Sequence, residues 1–380
     1  MFDAITNVRV SVPLAPVAGN VVFPPTFAPA ESAPRGTPAG HNWRPDGSVV
    51  LDTPQSQANR VEDAILRAMH GGLLAYPDIR LQIPGEGTLS VLELSHRAYD
   101  ATLFHALDVT DTPFRKSEIG KALIESHPGN ALGVFEHAPI QLLVGGWDSH
   151  GGRGVLAAKF QRILTGEVVG LDAKPIQRTA TKLDPLDIRR DAAVMYEHRD
   201  PNIGWTLNPE QARRDEKGNP IVCKPAETGL GSTPSTTERG ALISGARHDL
   251  VISATAVRRL RFPDPATGEL DAKRDRAGQD AVLAFGIYAI SLLLDAGYDL
   301  RSGCQLVPSE EPTLEFIGRT LKQIERTDLS NARAWFESAM AEAARHGLRW
   351  RTEPLVLTPS ADLAAVIAKS RALAGLGDAA

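Results

Sequence analysis

The sequence predicts an α+β fold with a mixed or antiparallel sheet, on three observations. Strand-like and helix-like stretches follow one another without a regular βαβ alternation. The longest apolar run, "AVLAFGIYAISLLL" over 281–294, falls short of the ~20 residues a membrane span needs and reads as a buried core helix. Residues 172–240 are too poor in apolar side chains to build a core, so they read as a protruding insertion with a hairpin arm.

The elements follow in chain order. "AITNVRVSV" (4–12) alternates enough to be a strand, and 13–48, rich in Pro, Gly and Ala, reads as a long surface loop. "SVVLD" (48–52) is a short strand running into a helix capped by Asp52 or Thr53, with Pro54 in its first turn. Ala58, Val61, Ile65, Ala68 and Met69 form its core stripe, with Gln55, Asn59 and Glu62 on another face, and "HGG" (70–72) ends it. "QLLVGGWDS" (141–149) reads as a buried strand before a glycine-rich turn. In the segment that follows, Lys159 and Arg162 share a face if it is helical. "DLVISATAVRRLRF" (249–262) reads as strand then short helix, 277–296 as a helix ended by Gly297, and 299–308 as strand. From 311 onward the reading is mainly helical, "PTLEFIGRTLKQIERT" included, with a short strand "PLVLTP" before the last helix.

Composition excludes several function classes. The 380 residues are 42% hydrophobic and 23% charged, as in ordinary soluble domains, and the length allows one large domain with insertions or two domains. A formal net charge of −5 argues against coating nucleic acid through bulk positive charge but leaves room for a local basic groove. The two cysteines, Cys223 and Cys304, are too few for a disulfide framework, and with no basic-then-apolar leader in "MFDAITNVRV" a cytoplasmic location is expected. No H-E-x-x-H, H-x-H or cysteine pair points to a metal, and no G-x-S-x-G or GK[ST] ending points to a hydrolase or a P-loop, so no cofactor is expected.

What remains is polar clusters suited to a sugar–phosphate backbone. "LDTPQSQANR" (51–60) places Gln55, Ser56, Gln57, Asn59 and Arg60 at a helix N-terminus, where amides and a guanidinium meet phosphate, ribose or base edge. "ELSHRAYD" adds His96 and Arg97, and "WDSHGGRG" adds Trp147 for stacking, Ser149 and Arg153. Lys159 and Arg162 come next, and the arm adds Arg178 and Lys182. Taken singly, each cluster also reads as a cap or a solvated face.

"VLDTPQSQANRVEDAIL" (50–66) resembles the signature of the backbone RAMP subunit (Cas-seven group) of Cascade in type I-U, also called I-G, CRISPR systems. In the same order come "SHRAYDATL", "LLVGGWDSHGGRG", "AAKFQRILTGEVVG", "KLDPLDI", "GLGSTPS", "LVISATAVRRLRFP" and "GYDLRSGCQLVP", so the resemblance covers roughly 45–310. It implies a modified ferredoxin-like (RRM) palm over 1–310, with insertions at 13–48, 71–140 (finger-like) and 172–245 (thumb-like). A helical region over 311–380 would pack on the palm. It implies a protein without catalysis of its own that polymerises with further copies of itself along crRNA. It would display the guide to target DNA beside other Cascade subunits, with no membrane involved. The thumb departs from the pattern, reading "GLGSTPS" where Asn-Ile would follow the second glycine. The competing reading is a soluble metabolic enzyme holding a phosphorylated small molecule at the 145–154 glycine loop; a weaker one is a stand-alone ribonuclease.

Overall fold

The core elements, in chain order, are β1 (Asn7–Pro16), β2 (Val49–Asp52), α1 (Pro54–His70), β3 (Leu164–Leu171), β4 (Gly245–Ser253), α2 (Ala272–Asp295), β5 (Tyr298–Arg301), β6 (Cys304–Pro308), β7 (Thr313–Ile317), β8 (Ile324–Thr327) and α3 (Ala332–Arg345). The computed structural model describes residues 4–31, 39–148, 159–178, 183–189, 193–230, 237–320 and 324–373.

β1 is the spine of a curled, eight-stranded antiparallel sheet. Along one edge it pairs with β4, from Asn7↔Ser253 to Leu14↔Ala246. Along the other it pairs first with β7 (Asn7↔Ile317) and then with β6 (Leu14↔Pro308). β3 lies beyond β4, and β2 beyond β3. The period-two pattern of β1 sorts its side chains: Val8, Val10, Val12 and Leu14 are buried, while Arg9, Ser11 and Pro13 occupy the opposite face. That opposite face is laced by ion pairs. Glu315 takes Arg9 (2.6 Å) and Arg326 (2.9 Å), Asp249 takes Ser11 (2.7 Å) and Arg247 (2.5 Å), and Glu167 takes Arg44 (2.6 Å).

α1 and α2 cover the apolar face. α2 is buried on almost every side, because α1, the sheet and α3 all pack on it. It is long and apolar enough to cross a membrane, and 83% of its most apolar window is inside this core. Phe285 sits at the centre of an aromatic group, 4.9 Å from the Trp350 ring, 5.7 Å from Phe336 and 6.4 Å from Tyr76. A smaller sheet joins Leu355–Pro359, parallel to Ile79–Ile83, with Gly87–Ser90 and Ala106–Leu107. Residues 175–240 and 365–380 form a second compact unit. Within it Met195–Glu197 pairs antiparallel with both Trp205–Thr206 and Val222–Cys223, around buried Met195, Ala212 and Cys223.

Three sequence expectations are corrected. "QLLV" is helix, Ile140–Val144, not strand; a short apolar run has no period that separates the two. Lys159 and Arg162 do not share a helix: Lys159–Phe160 is strand and Leu164–Leu171 is β3. Thr313–Ile317 and Ile324–Thr327 are not helical but form β7 and β8, with Leu314 and Phe316 on the face opposite Glu315. The region after 311 is therefore woven into the main sheet through β7. Within the expected 13–48 loop, Val21–Val22 pairs with Ala241 and Leu242.

Truncating the ring at the aromatic centre, Phe285→Ala, is expected to cost about 3–5 kcal/mol. Urea unfolding checks this: the midpoint should fall with the slope unchanged.

Candidate nucleic-acid interface

The polar helix start resolves into a buried node. Thr53 caps α1, its Oγ1 accepting from Ser56 N–H at 3.2 Å. Asp52, the other candidate cap, is instead turned inward and 1% exposed. Its Oδ2 accepts from Gln57 Nε2 (2.6 Å) and Arg60 Nε (2.9 Å), and its Oδ1 from an Arg301 terminal nitrogen (3.3 Å). The Arg60 guanidinium also donates to the Leu300 carbonyl (2.7 Å), and that of Arg301 to the Phe23 carbonyl (3.3 Å). Gln57 and Arg60 are thus spent on tying α1 to the β5–β6 hairpin, while both guanidiniums keep about a quarter of their surface in solvent. Gln55 and Asn59 are exposed on α1. Arg301 lies within the "GYDLRSGCQLVP" motif, but nothing local ties it to α1, since it lies far along the chain from the helix it serves.

The second node begins two residues beyond Arg60 on α1. Glu62, expected on a polar face, is buried and paired with Arg97, which forks onto both carboxylate oxygens. Burial pushes the Glu62 carboxyl up, against the pull of Arg97. Arg97 holds a left-handed backbone (φ 55°), uncommon for a residue other than glycine. Arg162 stands in the field of both groups, and its Nε donates to the Val144 carbonyl at 3.3 Å. His96 is exposed, its N–H donating to Asp100.

The third node follows directly. Gly145 has φ 83° and its backbone crosses that of Arg162 so closely that a Cβ would lie 3.0 Å from the Arg162 nitrogen. Beyond it Trp147 pairs with Lys159 in a two-stranded ribbon. The indole is 60% exposed, and the Lys159 ammonium lies 5.5 Å from its ring centre. The next residue, Asp148, points inward and is held by Arg115 at 2.7 Å, whose guanidinium in turn lies over Phe104. That anchor leaves Trp147 facing out. Ser149, Arg153 and Lys182 lie outside the described residues, as does the Arg178 side chain, although Arg178 ends the strand Lys174–Arg178.

One element therefore links the nodes: α1 carries Arg60 and Glu62, and Glu62 leads through Arg97 and Arg162 to the glycine crossing and Trp147. Chemically these are guanidiniums held on buried carboxylates at Asp52 and Glu62, and an exposed indole beside the Lys159 ammonium. Cations and an aromatic face of this kind suit phosphate contact and base stacking without sequence choice. Among the described residues there is no group of three His, Cys, Asp or Glu able to hold a metal ion.

Residues 8–175 match the family model described as CRISPR-associated protein GSU0053. The match takes in α1 and all three nodes except Arg301, and it supports a CRISPR-associated protein with a role in a CRISPR system. No curated protein matches the chain.

Two predictions follow from the geometry. Asp52→Asn leaves Arg60 and Arg301 facing each other over a neutral amide; the expected loss is about 3–5 kcal/mol, the range for breaking a buried pair, read by urea unfolding. His248, buried beneath this node with Nδ1 3.0 Å from the Tyr298 hydroxyl, is pushed down by burial to about 4. The unfolded chain takes up this proton below about pH 6.5 and the fold resists it. The stability that depends on a neutral His248 is therefore complete above that pH and drains away as pH falls toward 4. His248→Gln should abolish roughly 3 kcal/mol of the stability difference measured between about pH 7.5 and about pH 4.

Proposed function

We propose that this protein is a crRNA-binding backbone subunit of a type I-U (I-G) Cascade complex, a member of the Cas-seven group of RAMP proteins. In this reading several copies polymerise along the guide RNA in the cytoplasm. Together with other Cascade subunits they present the guide to target DNA, with no cofactor and no catalysis of their own. The observation that carries the reading is the CRISPR-associated family match over 8–175, which takes in α1 and the three nodes apart from the residues of the β5–β6 hairpin.

The topology supports it. Taken as β1–α1–β3–β4–α2–β6/β7, the core runs strand, helix, strand, strand, helix, strand, with the last strands and β4 on either side of β1 and β3 beyond β4. That order is consistent with a ferredoxin-like palm, and in this reading 175–240, which lies in sequence between β3 and β4, would be the thumb. The chemistry supports it too. A guide differs in sequence from one spacer to the next, so its holder reads backbone and stacks bases, leaving sequence to base pairing. Arg60, Arg301, Arg162 and Lys159 supply cations, and Trp147 supplies the stacking face. The enzyme reading gains nothing comparable, since Gly145 and Gly146 are explained by close approach to Arg162 and Gln141.

The test is co-expression with a cognate repeat–spacer RNA and the neighbouring Cascade genes, followed by sequencing of the nucleic acid that co-purifies. Guide RNA in multi-copy particles is the expected result; a nucleic-acid-free protein of small fixed size would overturn the reading. If each protomer neutralises about three phosphates, log affinity for single-stranded RNA should fall against log salt with a slope near about −2 per protomer. Arg60→Ala and Arg301→Ala should each flatten that slope, equally for all RNA sequences.

A further inference from the structure

His248 takes no part in the proposed RNA contacts, yet the fold sets it beside the node that makes them. On the helix-covered face of the main sheet one cross-strand row runs Asp52, Val168, His248, Val12, from β2 through β3 and β4 to β1. Directly paired residues point to the same face, so the carboxylate and the imidazole share it, two strand spacings or roughly 10 Å apart at the backbone.

The imidazole is 1% exposed. Its Nδ1 lies 3.0 Å from the Tyr298 hydroxyl, and the two rings meet edge to face. Its Nε2 has no hydrogen-bond partner among the described residues. Gln57, which donates to Asp52, has its own Oε1 buried and without a partner. A buried polar atom left open is costly and rare. Here two stand around one carboxylate.

The surrounding charges set the state of the ring. Arg60 stands on α1, Asp52 on β2 and Tyr298 on β5. β1 and β3 bring only Val12 and Val168 beside it. Asp249, next in β4, lies on the opposite face, held by Ser11 and Arg247. Burial, and behind it the Arg60 cation, keeps the ring neutral against the pull of Asp52 and Asp249. The node itself, one carboxylate with two guanidiniums, carries one surplus positive charge. A phosphodiester on the exposed parts of Arg60 and Arg301 cancels that surplus, and the cost of a proton on His248 falls.

We infer, taking the RNA reading as given, that His248 is a proton switch on this node: a phosphodiester held by Arg60 and Arg301 binds together with one proton, which the His248 ring takes from solvent. The proton completes the imidazolium, Nδ1–H donates to the Tyr298 oxygen, and Nε2 becomes a second donor. Coupling is reciprocal: if the anion favours the proton, the proton favours the anion by the same factor. RNA affinity therefore rises as pH falls.

The test is the affinity of the full chain for a labelled oligouridylate, whose bases do not titrate in this range, at about pH 7.5 and about pH 5. Other histidines also gain charge over this interval, so His248→Gln isolates the ring. The gain on acidification should be about tenfold larger in the wild type than in His248→Gln. Calorimetry in two buffers of different ionisation enthalpy should show proton uptake at the lower pH that His248→Gln loses. Equal gains in the two proteins, or uptake that survives in His248→Gln, overturn the inference. Where His248→Gln does not fold at the lower pH, NMR of the intact chain labelled on its histidine ring nitrogens decides. Oligouridylate should then move the His248 titration to higher pH, and an unmoved titration overturns the inference. Binding without this linkage sinks the switch alone, whereas no binding at either pH sinks the RNA reading itself.

Discussion

Asp52 ties the start of α1 to a hairpin far along the chain. A carboxylate almost wholly out of water cannot stay charged without partners. Its two oxygens therefore gather Gln57 and Arg60 from α1 and Arg301 from the β5–β6 hairpin. The guanidiniums reach further, to the Leu300 and Phe23 carbonyls, so the node sets where α1 begins and where the hairpin lies against it. Of the cations proposed for the RNA face, Arg60 and Arg301 depend directly on this one charge.

The same device recurs. Glu62 holds Arg97, Asp148 holds Arg115, Asp78 holds Arg80, Asp275 holds Arg261 and Glu315 holds Arg9 and Arg326. In each case the acid is buried and the arginine retains some exposure. A guanidinium pinned by a fork loses less freedom on meeting a ligand than a free lysine does. A protein with a net charge of −5 can thereby present rigid local cations without a broadly basic surface.

The open face of the main sheet is different in character. Its side chains pair with one another rather than with the core, Arg9 with Glu315 across strands and Arg247 with Asp249 along β4. None of the exposed aromatic residues lies on its strands among the described residues. The exposed indole sits on the Trp147–Lys159 ribbon, reached from α1 through Glu62, Arg97 and Arg162. The proposed stacking platform is therefore a graft on the sheet scaffold, not a part of the sheet surface.

The sequence by itself determined the elements whose periodicity or capping is strong. β1, β2, α1, β4, α2 and the strand Leu355–Pro359 are where the pattern places them, because amphipathic spacing is local, whereas the choice of Thr53 over Asp52 as the cap of α1 came from the structure. It failed at "QLLV" and at 313–327, where the run is short or the alternation is interrupted by a turn, and local pattern does not separate helix from strand. It named Gln57, Arg60, Arg97, Trp147, Lys159 and Arg162 as polar residues of interest, but not what each is for. Only the tertiary structure decided that Gln57 and Arg60 turn inward to Asp52, that Glu62 is buried under Arg97, and that Arg301 completes the first node. The reason is physical: a side chain's partner is set by which distant strand or hairpin arrives beside it, and a buried charge takes whichever partner the fold delivers.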